Sequence, residues 1–142
     1  MKSLTNEAKM SENLLRNLPS ASALAYLGDA EHDLYVRSML VRRGLSRSKD
    51  LNFEARKYVT AEAQALLFER IKDVLSVEEL ATFRRAFNST HLNKPKHSTG
   101  KEYRTATGFE AVLGMLSFIG ERDRLRFLLD EAHKEIDDDT EN

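Results

Sequence analysis

Hydrophobic residues return every three or four positions along most of this chain, the spacing of a buried helical face rather than of a strand. Ser20 can cap a helix whose apolar face is Leu24, Leu27, Ala30, Leu34 and Val41, running to about Arg43 with Gly44 as its stop. Ser46 and Ser48 open a short basic helix through Leu51, Phe53 and Ala55. The next helix has Val59, Ala63, Leu66, Leu67, Ile71 and Val74 as its core face. Ser76-Val77-Glu78-Glu79 reads as a capping box that starts a helix through Leu80, Phe83 and Phe87. The last two helices span about Tyr103 to Ile119 and Glu121 to Ile136, broken at Gly120, with Leu125, Leu128, Leu129, Ala132 and Ile136 as a regular core stripe. No segment alternates over strand length, and no internal repeat is visible. The pattern predicts an all-α, single-domain helical bundle over residues 18–136, with an N-terminal extension (1–17) and an acidic tail (137–142).

Periodicity lapses between Asn88 and Glu102, a stretch holding Pro95, Gly100 and several Ser, Thr and Asn. Irregular segments of this length in compact domains tend to be functional or disordered. Its Lys94, Lys96, His97 and Lys101 suit phosphate contact.

Composition narrows the class. A chain of 142 residues, 41% hydrophobic and 32% charged, is long enough for one domain with a real core. The absence of cysteine excludes disulfides and thiolate metal sites. The first fifteen residues do not resemble a secretory signal, and no apolar run approaches membrane-spanning length. A cytoplasmic protein without a membrane partner is the expectation. The net charge of −1 hides a split. Arg84, Arg85, Lys94, Lys96, Lys101 and Arg104 face a single acid, Glu102, in their stretch, whereas the chain after Glu121 is acid-rich. Arg37, Arg42, Arg43, Arg47 and Lys49 form a second basic group around Gly44. Such asymmetry says more about partners than net charge does.

The candidate chemistry lies at two acids set among small residues. Gly28 costs about 1 kcal/mol inside a helix relative to alanine, and close approach of another backbone is the usual compensation. Asp29 follows it, and Ser22, Ala25, Asp29 and Asp33 share one strip of that helix. Downstream, Ala106, Glu110, Gly114 and Ser117 form a comparable strip. Helices with small-residue stripes can cross closely, and a crossing here would face Asp29 with Glu110. Two facing carboxylates cannot both stay ionised cheaply unless they hold a hard divalent ion such as Mg²⁺. Asp33 can reach such an ion directly or through water. His32, His91 and His97 are scattered, and no Ser, Cys or His arrangement for a covalent nucleophile stands out; His32 lies three residues from Asp29.

At these residues the chain resembles a known family. Leu24-Ala-Tyr-Leu-Gly-Asp29-Ala, Thr105-Ala-Thr-Gly-Phe-Glu110-Ala-Val-Leu-Gly114 and their separation are similar to the ribonuclease III catalytic domain. Val59-Thr60-Ala61-Glu62-Ala63-Gln64-Ala65 and Tyr103-Arg104 look like stretches of its mini-ribonuclease III branch, which has no double-stranded-RNA-binding domain. The resemblance runs from about Leu18 to Glu131. It implies an all-helical fold, a homodimer and Mg²⁺-dependent cleavage of double-stranded RNA, in that branch the maturation of precursor 23S ribosomal RNA, with room for a ribosomal protein as helper. It also implies Asp29 and Glu110 as catalytic metal ligands and Arg84, Arg85, Lys94, Lys96, Lys101 and Arg104 as RNA contacts. Full-length relatives carry further acids where this chain has Ser22, Ala25 and Thr107. The mini branch tends to have an Arg-Gly-Arg-Asn run where this chain has Arg85-Ala86-Phe87-Asn88. The thinned acid set leaves a second reading open, a non-catalytic ribonuclease III-like RNA- or ribosome-binding module. An all-α nucleotide pyrophosphohydrolase would want a denser cluster of helical acids than Glu78-Glu79 offers.

Overall fold

In a computed structural model, which describes residues 5–89 and 100–134, every regular element is helical. In chain order these are α1 (Asn6–Arg16), α2 (Ala21–Arg42), α3 (Ser48–Val59), α4 (Ala61–Glu69), a 3₁₀ turn (Lys72–Val74), α5 (Val77–Ser89), α6 (Gly100–Ile119) and α7 (Arg122–Ala132). Among the described residues no helix is long and apolar enough to cross a membrane.

Local chemistry sets the ends. The Ser20 hydroxyl accepts from the Ala23 N–H, and that of Thr60 accepts from Ala63, so both helices begin on a side-chain cap. The capping box forms reciprocally: Glu79 N–H donates to the Ser76 hydroxyl at 3.1 Å and Ser76 N–H to the Glu79 carboxylate at 2.7 Å. Glu79 is itself buried and receives two hydrogen bonds from Arg124 of α7, so one cap also ties α5 to α7. Both long helices stop at a left-handed glycine, Gly44 (φ 95°) and Gly120 (φ 82°). Each stop is closed by a bond back across the turn, Leu45 N–H to the Leu40 carbonyl and Glu121 N–H to the Leu116 carbonyl.

Helix α6 is the axis of the molecule. Ala111 through Leu116 are all buried, and α1, α2, α4, α5 and α7 pack around it. The α7 stripe Leu125, Leu128, Leu129 and Ala132 is buried as its spacing predicts, while Ile136 lies outside the described residues. Phe68 and Phe83 stack with centroids 4.1 Å apart, joining α4 to α5.

Two expectations need correction. The apolar face read along α2 is not the buried one: Leu34 and Val41 are each 60% exposed and Ala30 is exposed. The buried face is Ala21, Leu24, Ala25, Gly28, His32, Val36 and Leu40. The reason is steric, because only the side lined by alanine and glycine lets the backbone of α6 come close. Leu66 on α4 and Val74 in the 3₁₀ turn are likewise exposed, and Gln64 and Phe68 of α4 take the interior. Residues 1–17, expected as an N-terminal extension, include α1, capped by Thr5 and tied to α6 by the Ser11 hydroxyl donating to the Ile119 carbonyl at 2.8 Å.

Candidate active site

Helices α2 and α6 meet glycine against glycine. A Cβ built on Gly28 would lie 1.7 Å from the Glu110 carbonyl oxygen and 2.9 Å from the Gly114 nitrogen. A Cβ on Gly114 would lie 1.8 Å from the Leu24 carbonyl oxygen. The two backbones are therefore in contact, closer than any side chain would allow. That contact brings the carboxyls of Asp29 and Glu110 within hydrogen-bonding reach of each other.

The pair is electrostatically unbalanced. Burial first, then the hydrogen bond and charge of Asp29, push the Glu110 carboxyl up to about 9, against a smaller opposing effect of the Gln64 amide. Asp33 adds to the negative field, and its own carboxyl is raised by burial and by Asp29. Among the described residues no lysine or arginine forms an ion pair with Asp29 or Glu110. A carboxyl raised this far favours its protonated form at neutral pH, and a bound cation would favour the ionised one. An all-oxygen pair that cannot ionise alone fits a hard divalent ion that keeps most of its water.

Asp29 is exposed and Glu110 half-buried, so the pair opens to solvent at the α2 side. No group of three His, Asp or Glu side chains converges to hold a metal among the described residues, and Asp33 acts on the pair through its charge. The positions at which the resemblance raised the expectation of further acids hold other residues. Ala25 is buried, Ser22 is exposed, and the Thr107 hydroxyl donates to the Tyr103 carbonyl one turn back. Ser117, the last member of the α6 strip, belongs to another cluster: it donates to Glu31, which also pairs with Arg122.

The basic residues divide. Arg84, Lys101 and Arg104 are exposed on α5 and at the start of α6, and Arg104 lies over the Phe87 ring at 5.9 Å. Phe87 thus supports a cation in place of being one. Arg85 donates to the Pro19 carbonyl at 3.0 Å and so also braces the segment between α1 and α2. Lys94, Lys96 and His97 lie outside the described residues.

The sequence reading passed over Gln64 and His133. Gln64 Nε2 lies 3.4 Å from Glu110 Oε2 and 3.0 Å from His32 Nδ1. His32 Nε2 in turn lies 2.9 Å from His133 Nε2. His32 is fully buried, edge-on to Phe109, and His133 is boxed by the rings of Tyr35 and Tyr58. Gln64 sits in the Val59–Ala65 block, where a glutamine one turn before Leu67 and Phe68 was the available signal. Burial holds His32 down to about 3 and His133 to about 4, so both are neutral at physiological pH. Because both values fall below those of the unfolded chain, the stability they carry is present above about pH 6.5 and lost as pH falls through that window. The expected loss approaches about 1.4 kcal/mol per pH unit for each histidine. Urea titrations between pH 7 and pH 4.5 check this; an acid limb no flatter in His133→Phe than in the parent would refute it.

The family model of the ribonuclease III domain matches residues 22–120. The Mini-ribonuclease 3 of Symbiobacterium thermophilum is 39% identical over 109 residues, covering 77% of this chain and 84% of the relative. That of Thermoanaerobacter sp. is 40% identical over 119 residues, 84% of each chain. A Mini-ribonuclease 3-like protein of Ilyobacter polytropus is 37% identical over 107 residues, 75% of this chain and 84% of the relative. A crystal structure of a protein from Fusobacterium nucleatum superposes with a TM-score of 0.72 at 28% identity, covering 78% of this chain and 88% of that one.

Proposed function

This chain belongs to the ribonuclease III family and is an endoribonuclease of double-stranded RNA, and from that premise we propose that Asp29 and Glu110 are its catalytic carboxylates and hold Mg²⁺ between them. The observation that carries the reading is the uncompensated pair: burial and the neighbouring Asp29 push the Glu110 carboxyl up to about 9, and a bound cation would relieve both effects. Bound there, the ion would supply a Lewis acid to activate water and offset charge at the scissile phosphate. Glu110, recessed against Gln64, supplies the fixed side of the clamp, and exposed Asp29 the side that meets the RNA.

Duplex RNA is recognised chiefly through phosphates, 2′-hydroxyls and shape. Arg84, Lys101 and Arg104 offer that chemistry, with Lys94, Lys96 and Arg85 as further contacts. We also propose a homodimer, for which exposed Leu34, Val41 and Tyr26 on α2 provide unpaired apolar surface. A dimer would set two sites across a duplex, one per strand. Maturation of precursor 23S ribosomal RNA in the cytoplasm, with or without a ribosomal-protein helper, is the biological setting proposed.

The test is incubation with a base-paired fragment of the precursor ends and with a single strand of the same sequence, each with Mg²⁺ or with EDTA. Cleavage of the duplex in Mg²⁺ alone is expected. The alternative, an RNA- or ribosome-binding module that does not cut, is favoured by the missing acids at Ser22, Ala25 and Thr107. Salt-sensitive binding without cleavage of any duplex in Mg²⁺ or Mn²⁺ would establish it.

A further inference from the structure

Gln64 touches both the Glu110 carboxyl and the buried histidine pair. We propose that Gln64 is a positioning residue for Glu110, and that His32 and His133 fix the direction in which its amide points. The inference rests on the reading of Asp29 and Glu110 as a cation-holding pair.

Hydrogen-bond polarity carries it. Gln64 is 2% exposed, so its amide must find partners inside the protein. Its nitrogen has two hydrogens and no lone pair to offer, so it donates both to His32 Nδ1 and to Glu110 Oε2. His32 must then keep Nδ1 bare and carry its proton on Nε2, which donates to His133 Nε2. That leaves the His133 proton on Nδ1, a buried atom with no hydrogen-bond partner among the described residues. The chain thus places its one unsatisfied group at the end remote from Glu110. With a cation bound and Glu110 ionised, turning the amide over would set its oxygen against the carboxylate, and both histidines would have to exchange tautomers to accommodate it. The carboxylate contact opposes the turn. Residues 32 and 101 positions apart are therefore aligned in one direction, ending in a donor aimed at Glu110. At 3.4 Å this last bond is long for an N–H···O contact.

The test measures Mn²⁺ binding to the RNA-free protein by calorimetry, with thermal unfolding as the folding check. Gln64→Leu is expected to weaken Mn²⁺ about tenfold, the size typical of groups that orient a metal ligand. His32→Phe, which removes the acceptor, is expected to weaken it several-fold, while His32→Asn, whose side-chain oxygen can accept from Gln64, stays near the parent. Nitrogen-15 NMR of the Mg²⁺-loaded protein should find His32 protonated on Nε2. Folded Gln64→Leu with parental Mn²⁺ affinity, or His32 protonated on Nδ1, overturns the inference. Should Gln64→Leu not fold, the contrast between His32→Phe and His32→Asn decides, and equal affinities overturn it. If Glu110→Gln also binds Mn²⁺ like the parent, the carboxylate-pair reading has failed and takes this one with it. If Glu110→Gln loses Mn²⁺ and Gln64→Leu does not, only the role of Gln64 falls.

Discussion

Glu110→Gln is expected to abolish duplex cleavage, by about a thousandfold or more, while making the metal-free protein more stable at pH 8. The first effect follows from removing one of the two carboxylates proposed to hold an ion, which would lower the barrier by several kcal/mol. The second follows from linkage. The Glu110 carboxyl is raised to about 9, above its value in the unfolded chain. Stability tied to it is fully present below about pH 4.5 and is lost as pH rises toward 9. Glutamine is neutral throughout, can donate to Asp29 and can accept from Gln64, so it escapes that loss. A gain on the order of 1–3 kcal/mol at pH 8 is expected, vanishing near pH 4.5. Added Mg²⁺ should stabilise the parent and leave the variant unmoved. Single-turnover cleavage and urea unfolding at both pH values read the two effects. A variant that still cuts would remove Glu110 from the chemistry; one that is inactive but no more stable at pH 8 would show that the carboxylate pair is not strained.

Gly28→Ala should cost about 3 kcal/mol or more and in the extreme prevent folding. Helix propensity alone argues the opposite, since alanine is favoured over glycine by about 1 kcal/mol in a helix interior. The contact geometry decides between them. The new methyl would meet backbone atoms of Glu110 and Gly114, which cannot rotate away as a side chain can. The helices would have to part along their whole crossing, opening the core around Leu24 and Val112 and separating Asp29 from Glu110. Gly114→Ala should behave alike, its methyl meeting the Leu24 backbone. Gly108→Ala meets only the Phe83 ring, which can shift, so its cost should be smaller. Urea midpoints for the three variants give the order directly. Gly28→Ala as stable as the parent would mean that the two backbones do not touch.

Much of this was legible because its signals are local. Ser20, the Ser76–Glu79 box, Gly44 and Gly120 mark helix ends through bonds that span only a few residues. The stripes holding Asp29 and Glu110 were visible for the same reason, since residues four apart share a helical face. The buried side of α2 was not legible. Leu34 and Val41 make as good an apolar stripe as any, and they lie outside. His32 read as an isolated histidine, and Gln64 as an ordinary polar position, because their partners are far away along the chain.

By itself the sequence determined a helical protein with these breaks, these caps and two acids on two small-residue strips. Those features follow from backbone hydrogen bonding and helical period, which each segment carries alone. Only the tertiary structure decided which face of α2 meets α6, that the carboxyls of Asp29 and Glu110 come within reach of each other, and that Gln64 stands behind them. A strip of small residues permits a close crossing but does not select one. Selection comes when the Gly28 and Gly114 backbones meet, because that contact excludes every other rotation of the two helices and sets the carboxylates face to face.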